Sequence, residues 1–339
     1  MATEQRNIDL KPYNSFGVSQ MAERLVEFTS YDDLHATLTA DPSILAGSWR
    51  VLGGGNNTLF TDDYHGTLIH PTSKGITITA ERGNDVVVRV EAGEEWDDVV
   101  AWAVERGLWG IENLSLIPGQ AGAAPVQNIG AYGTEAKDSI ESVEMLCTDT
   151  LNRLVLGGEY CSFGYRESIF KQSLAGKVII TAINMRLSRI AAPHLDYGAL
   201  RTEVEKLGEP SLKNIRQAVI TIRESKLPDP KVLGNGGSFF KNPIVEPEVA
   251  ERLLANYPNM PLYPAEEDKK KLSSGWLIEQ AGWKGRRVGN VGVHDRQALV
   301  LVNHGGATGG EVIEFAKMIV AEVAQKFGVR IVPEINIVG

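Results

Sequence analysis

Residues 117–133 read IPGQAGAAPVQNIGAYG, and no other stretch narrows the folding options of the chain as far. Eight of these seventeen residues are Gly or Ala and none is charged, so the stretch carries too little side chain to build a core of its own. What it offers is close backbone approach. A tight glycine-rich path that presents successive N–H groups makes a concave donor surface suited to phosphate oxygens, with no lysine needed. Gln127 and Asn128 set amide donors and acceptors beside that path. A closely packed backbone crossing, or a plain glycine loop, fits the same composition equally well.

At 339 residues the chain is long enough for two or three domains. The net charge of −9 supplies no field to draw nucleic acid or an anionic membrane, so neither is expected as a partner. Any anionic ligand must be met by local cations. The opening MATEQRNIDL has neither an apolar core nor a basic leader and is not expected to act as a signal peptide. No apolar run approaches the roughly 20 residues of a membrane span. Cys147 and Cys161 form no CxxC and read as small buried hydrophobes in a reducing compartment. A cytoplasmic, monomeric protein is expected.

Residues before Pro12 read as an ordered tail, and 14–17 as a turn. Strands are predicted at 25–28 and 49–52, with a helix over 31–39 between them, capped by Ser30 and carrying Asp32 and Asp33 in its first turn. The second strand runs into GGGNN, residues 53–57, a place where a phosphate or ring can be cradled and where a plain turn fits as well. Strands follow at 67–70, 75–79 and 85–91, then a helix over 95–107 with Trp96, Val99, Val100 and Ala103 on one face. Beyond the glycine stretch, strands are predicted at 139–147, 153–156 and 178–187, a helix at 199–207, and a short helix or strand at 215–223. KLPDP, residues 226–230, is a stiff connector and a domain boundary. Helices at 248–255, 273–281 and 310–327, and strands at 299–302 and 329–332, complete the chain. The class is α+β, with no sustained βαβ rhythm.

Several catalytic devices are missing. The chain has no GxxxxGK[ST] and no HExxH, and the segment around Ser238 fails GxSxG at its last position. The six histidines show no metal-ligand spacing, so no metal is expected. Three polar clusters remain. Arg166 lies between aromatics in GYRESIFK, where its guanidinium can be held to grip a carboxylate or phosphate; a surface arginine packed along its stem is the alternative. Ser238 follows two glycines, which leaves its hydroxyl in an open place or merely in a turn. Glu334 follows Pro333 near the chain end, where a solvated end-of-strand charge is the ordinary role.

Taken together, IPGxxGAAPxQNIGAYG, GYRxSIFK, YGxL, KLPDP, GNxGSFFKNP, SxGWLIxQ, VHxxQALVLVN and the final Pro333-Glu334 run in order over the whole chain. The set resembles the UDP-N-acetylenolpyruvoylglucosamine reductases, flavoenzymes of bacterial peptidoglycan precursor synthesis, and the YGAL loop is similar to that of their longer, type I members. GGGNN stands where the family often has GGGSN, and GNGGS where GNAGS is frequent. The resemblance implies an FAD-binding fold of the vanillyl-alcohol-oxidase type with an additional C-terminal α+β substrate domain. Residues 1–71 would form one FAD-binding subdomain, 72–225 plus 329–339 a second, and 226–328 the substrate domain.

The resemblance further implies that FAD is touched by Asn14, Ser15 and Phe16, and by Gly53, Gly54, Gly55, Asn56 and Asn57. In the glycine stretch it implies contacts from Pro118, Gly119, Gly122, Ala123, Ala124 and Pro125, then from Gln127, Asn128, Ile129, Gly130, Ala131, Tyr132 and Gly133. The implied reaction passes a hydride from NADPH through FAD to the methylene carbon of UDP-N-acetylglucosamine enolpyruvate, giving UDP-N-acetylmuramate. Arg166 and Glu334 would steady the charge that develops in the substrate carboxylate, and Ser238 would give the proton. Glu334 can help only if protonated or sharing a proton, so a pKa raised by burial and a carboxylate neighbour is expected there. A serine is a poor acid unless its proton is replaced through a neighbour or water. Tyr165, Tyr197, Lys226, Lys241, Asn242, Lys284 and Gln297 would meet the substrate, with Arg286 and Arg287 able to replace Lys284. A flavin oxidase of the same fold and a non-catalytic nucleotide-sugar binder are the rival readings; a Rossmann dehydrogenase is disfavoured because no GxGxxG opens a βαβ unit.

Overall fold

The computed structural model describes residues 2–339, and packing gathers them into two compact units. The first comprises residues 2–8, 22–54 and 65–223, the second residues 9–21, 55–64 and 224–339.

The first unit holds two sheets. In the smaller, strands Thr3–Asp9, Met21–Phe28, Tyr64–Pro71 and Trp49–Val51 lie side by side in that order. The segment expected as a tail thus begins with an edge strand. Helix α1 (Tyr31–Ala40) starts where predicted: the Ser30 hydroxyl accepts the Asp33 N–H, and Leu34 and Leu38 are buried with Val26, Phe28 and Ile69. The larger sheet is antiparallel, in the order Arg153–Gly157, Ile140–Cys147, Val178–Ser188, Asp85–Glu91 and Ile76–Arg82. Val86, Val88 and Val90 on its inner face pack with Trp96, Val99, Val100 and Ala103 of helix α2 (Trp96–Glu105). Each fully buried valine of this set contributes roughly 1.5–3 kcal/mol.

Helices α3 (Leu200–Leu207) and α4 (Leu212–Lys226) close the same core with Leu200, Val204, Ile215, Val219 and Ile222. α4 decides 215–223, read from sequence as a short helix or strand, in favour of helix. Its β-branched run suits a strand by propensity, but Leu212, Ile215, Val219 and Ile222 fall on one helical face, and burial of that face decides the conformation.

The second unit is built on a four-stranded antiparallel sheet, in the order Gly234–Ser238, Val300–Asn303, Val291–Val293 and Arg287–Val288. A small sheet of Ile244–Val245, Lys270–Leu272 and Leu262–Pro264 accompanies it, with helices α5 (Pro247–Asn256), α6 (Ser274–Gln280) and α7 (Gly309–Phe327). A capping box between Thr308 and Glu311 opens α7, and Gly328 at φ 67° closes it. Val312, Phe315, Ile319 and Val323 are buried along its length.

No strand forms at 329–332; Val329 and Ile331 are buried in the core. The terminal strand is Asn336–Val338, paired in parallel with Thr58–Phe60. Residues 329–339 and 55–64 both belong to the second unit.

Candidate active site

In the first unit the glycine stretch folds as a chain of tight turns, not as an open cradle. Its N–H groups at Ala121, Gly122, Ala123, Ala124, Val126 and Ile129 all donate to backbone carbonyls, at 2.8–3.2 Å. Those six are therefore spent, and the run of free donors inferred from composition is not what these residues present. The glycines serve close approach inside the protein: a side chain on Gly122 would meet Ala92 Cβ at 2.6 Å, and one on Gly130 would meet Glu135 Cγ at 2.9 Å and Arg166 Nη1 at 3.1 Å. The stretch ends in a two-residue hairpin turn in which Tyr132 (φ 49°) and Gly133 (φ 80°) are both left-handed.

Arg166 grips this stretch. Its guanidinium is half-buried and donates to the carbonyls of Asn128 at 3.3 Å and Gly130 at 2.7 Å. The group lies 5.5 Å from the Tyr165 ring centre. It is not a surface arginine lying along its stem. Asn128 is fully buried; its amide donates to Glu135 Oε2 and the Gly164 carbonyl and accepts the Lys137 N–H. This side chain brackets the loop from inside. Tyr197 stands exposed at the tip of its loop, edge-on to Tyr132 with ring centres 6.2 Å apart.

The turn after strand Trp49–Val51 reaches the same stretch. A side chain on Gly53 would find only Gln120 Oε1 at 3.5 Å and Ala123 Cβ at 3.6 Å. Gln120 is 7% exposed; its Nε2 donates to the Pro71 carbonyl, while Oε1 has no hydrogen-bond partner. A buried, unsatisfied acceptor beside a bare glycine fits a bound heterocycle that brings an N–H donor. The residues present therefore fit a flavin nucleotide, with Gly53, Gln120 and Ala123 placed to hold it.

Sequence reasoning missed three residues here. Arg223 donates to the Leu116 carbonyl at 3.2 Å and bonds the Tyr132 hydroxyl. Burial pushes its pKa down and also pushes that of the Tyr132 hydroxyl up. Asp97 receives a two-pronged ion pair from Arg216 and the Leu116 N–H. Asn113, 1% exposed, donates to the Tyr132 and His194 carbonyls. Arg223 sits three residues before Lys226 of KLPDP, and Asn113 just ahead of the glycine stretch, but only tertiary contact reveals either.

In the second unit, Asn14 is buried and spends its amide on the backbone of Leu10 and Val18. Ser15 N donates to the Gly55 carbonyl at 3.2 Å. Phe16 is a core residue, 1% exposed, edge-on to Phe239 at 6.2 Å. Asn57 accepts from the Asn336 backbone and side chain through its carbonyl. These residues organise the turn; the Asn14 and Phe16 side chains face the protein.

Ser238 is exposed at the end of its strand. Asn235 pairs with Val302 and Ser238 with Val300, so one extra residue is inserted between them. The Asn235 side chain holds that bulge by accepting the Gly237 N–H at 2.9 Å, with Gly237 at φ 69°. The Glu334 N–H donates to the Phe239 carbonyl at 2.8 Å, and Phe240 bridges to Pro333. The segments carrying Ser238 and half-buried Glu334 thus run side by side, while Arg166 belongs to the first unit.

Asn242 accepts the Ser274 N–H and Lys241 O accepts the Ser274 hydroxyl, so both gather at the start of α6. Gln297 Oε1 also reaches that helix, 3.3 Å from where a Gly275 side chain would begin. Lys226 is exposed at the last residue of α4. Lys284 pairs with Glu279 at 2.9 Å, Arg286 lies over Trp283 and Arg287 donates to the Gly289 carbonyl.

A model of the FAD binding domain matches residues 22–150. A model of the UDP-N-acetylenolpyruvoylglucosamine reductase C-terminal domain matches residues 229–338. Fold and site are those of an FAD-dependent oxidoreductase of the α+β class. A Bacteroides fragilis protein named UDP-N-acetylenolpyruvoylglucosamine reductase is 46% identical over 340 residues, covering 98% of this chain and 100% of its own. One of the same name from Chromobacterium violaceum is 47% identical, covering 97% of each. The chain belongs to the UDP-N-acetylenolpyruvoylglucosamine reductase family. The crystal structure of the reductase from Thermus caldophilus superposes with a TM-score of 0.70 at 23% identity over the full length of both chains, a likeness of fold.

Proposed function

We propose that the protein uses NADPH to reduce UDP-N-acetylglucosamine enolpyruvate to UDP-N-acetylmuramate, a step in peptidoglycan precursor synthesis. Bound FAD supplies the hydride carrier between the two substrates. Ser238 gives a proton to the alkene carbon that bears the carboxylate. Arg166 and Glu334 stabilise the charge spreading into that carboxylate, Glu334 in its protonated form.

The observation that carries the reading is the bulge at Gly236 and Gly237. It leaves Ser238 exposed between a turn fixed by Asn235 and two fully buried phenylalanines, Phe239 and Phe240. A hydroxyl so placed is held by its backbone and is open to a ligand. The Arg166 guanidinium is likewise pre-oriented, because two backbone carbonyls fix its plane.

Tyr165, Tyr197, Lys226, Lys241, Asn242 and Gln297 bind the nucleotide-sugar in this reading, and Lys284 shares its diphosphate with Arg286 or Arg287. Among the described residues no helix is long and apolar enough to cross a membrane. Both cysteines are free thiols, and the reading places the reaction in the cytoplasm. Under anaerobic conditions, NADPH should bleach the flavin absorbance of the purified protein and the enolpyruvyl substrate should restore it. Bleaching with no restoration by that substrate defeats the assignment. Rapid recolouring by oxygen alone supports a flavin oxidase instead.

A further inference from the structure

We propose that Asn113 is a positioning residue that fastens the glycine stretch at Tyr132 to the loop bearing Tyr197, so that substrate held by Tyr197 tightens the binding of FAD. The inference rests on the flavin and nucleotide-sugar reading above.

Asn113 lies in the short helical turn Glu112–Leu114, just ahead of the glycine stretch. Its amide nitrogen makes two donations, to the Tyr132 carbonyl at 2.9 Å and to the His194 carbonyl at 2.8 Å. Its Oδ1 is buried without a partner. A buried acceptor left unsatisfied is costly, so the two donations, not general polarity, are what this side chain contributes.

Both acceptors sit at critical places. Tyr132 is the left-handed first residue of the hairpin turn, and its hydroxyl is bonded by Arg223. His194 precedes Leu195, which is 7% exposed and packed in the core, so the loop is rooted there by one apolar side chain and one hydrogen bond. Beyond that root, Tyr197 is 51% exposed. Its Cβ lies 3.6 Å from where a Gly133 side chain would begin, and its ring meets Tyr132 edge-on. Tyr197 therefore meets Tyr132 ring to ring, and the Tyr132 backbone is tied through one amide to His194, three residues before Tyr197. A ligand that orders the Tyr197 loop thereby orders the Tyr132 turn, and linkage makes the effect reciprocal.

The test is the dissociation constant of FAD from the full chain. It is measured by flavin fluorescence with and without saturating UDP-N-acetylglucosamine enolpyruvate, and without NADPH. Wild type, Asn113→Ala, Tyr197→Ala and the double variant are compared. Substrate should tighten FAD about tenfold in wild type, within the usual range of coupling factors. Each single variant should reduce the factor below about twofold, and the double variant should reduce it no further. If Asn113→Ala does not fold, Asn113→Ser keeps a single donor and should also lose most of the factor. Full coupling in the Asn113 variant, or none in wild type, overturns the proposal while leaving the reductase reading intact. Wild type that takes up no FAD overturns both.

Discussion

Asp97 is the residue on which the start of the glycine stretch hangs. Arg216 reaches it with two bonds, at 2.6 and 2.9 Å, and the Leu116 N–H adds a third at 2.5 Å. Leu116 itself is left-handed at φ 57°, a conformation that costs a leucine roughly 1–2 kcal/mol. The ion pair is partly screened, with Arg216 17% and Asp97 29% exposed. Its loss falls between the ~0.2–1 kcal/mol of an exposed pair and the ~3–5 kcal/mol of breaking a buried one. Asp97 also lies in the first turn of α2, where a carboxylate adds ~0.3–1 kcal/mol. Asp97→Ala should therefore cost about 3 kcal/mol. For a unit of this size, about 6–12 °C should be lost in thermal unfolding, monitored by circular dichroism on flavin-free protein so that ligand linkage does not contribute.

The pH dependence has a definite sign. Burial raises the Asp97 carboxyl pKa, but the bonds from Arg216 and Leu116 and the charges of Arg216 and Arg223 outweigh it and hold it below the usual aspartate value. A depressed folded pKa gives stability that is complete above the unfolded value of about 3.9 and is lost as pH falls through the folded value. The gap between wild type and variant should be flat from about pH 5 to 8 and shrink below about pH 4. A gap under about 0.5 kcal/mol at neutral pH, or one that widens on acidification, refutes the argument.

Three further outcomes follow from local geometry. Gly122→Ala places a methyl 2.6 Å from Ala92 Cβ and should cost about 1–3 kcal/mol with lowered flavin content, read by denaturation and the absorbance ratio of flavin to protein. Arg166→Lys cannot span the Asn128 and Gly130 carbonyls as a planar fork does; turnover with the enolpyruvyl substrate should fall at least tenfold while the flavin stays bound. Glu267 and Asp268 both hold left-handed backbone, at φ 54° and 59°, so Glu267→Asn with Asp268→Gly should stabilise the protein by about 0.5–1 kcal/mol in urea.

Locally encoded elements were legible in the sequence. The Ser30 cap of α1, the face of α2 and the Gly328 stop of α7 each rest on neighbours a few residues apart. Pairing at long range was not. The apolar alternation of 329–332 looks like a strand, yet this stretch meets only the isolated bridge of Phe240 to Pro333 beside it, and a continuous ladder forms at Asn336–Val338, on residues 58–60. The site was legible as a set of motifs but not in its division of labour. Asn14 and Asn128 read as ligand-binding amides, and both turn inward to satisfy backbone groups in tight turns. The glycines of 117–133 serve close backbone approach, but at Gly122 and Gly130 the approach is to Ala92 and Arg166. Arg223 and Asn113 carry no signature of their own, because their importance comes from which carbonyls the fold brings to them.

The central claim is that Ser238 delivers the proton in the second half of the reaction. Rapid-mixing absorbance of Ser238→Ala separates the two halves. Flavin bleaching by NADPH should proceed at nearly the wild-type rate, and recolouring by UDP-N-acetylglucosamine enolpyruvate should be roughly 10²–10⁴-fold slower, the size of a lost general acid. Recolouring at the wild-type rate, or an equal fall in both halves, contradicts the assignment.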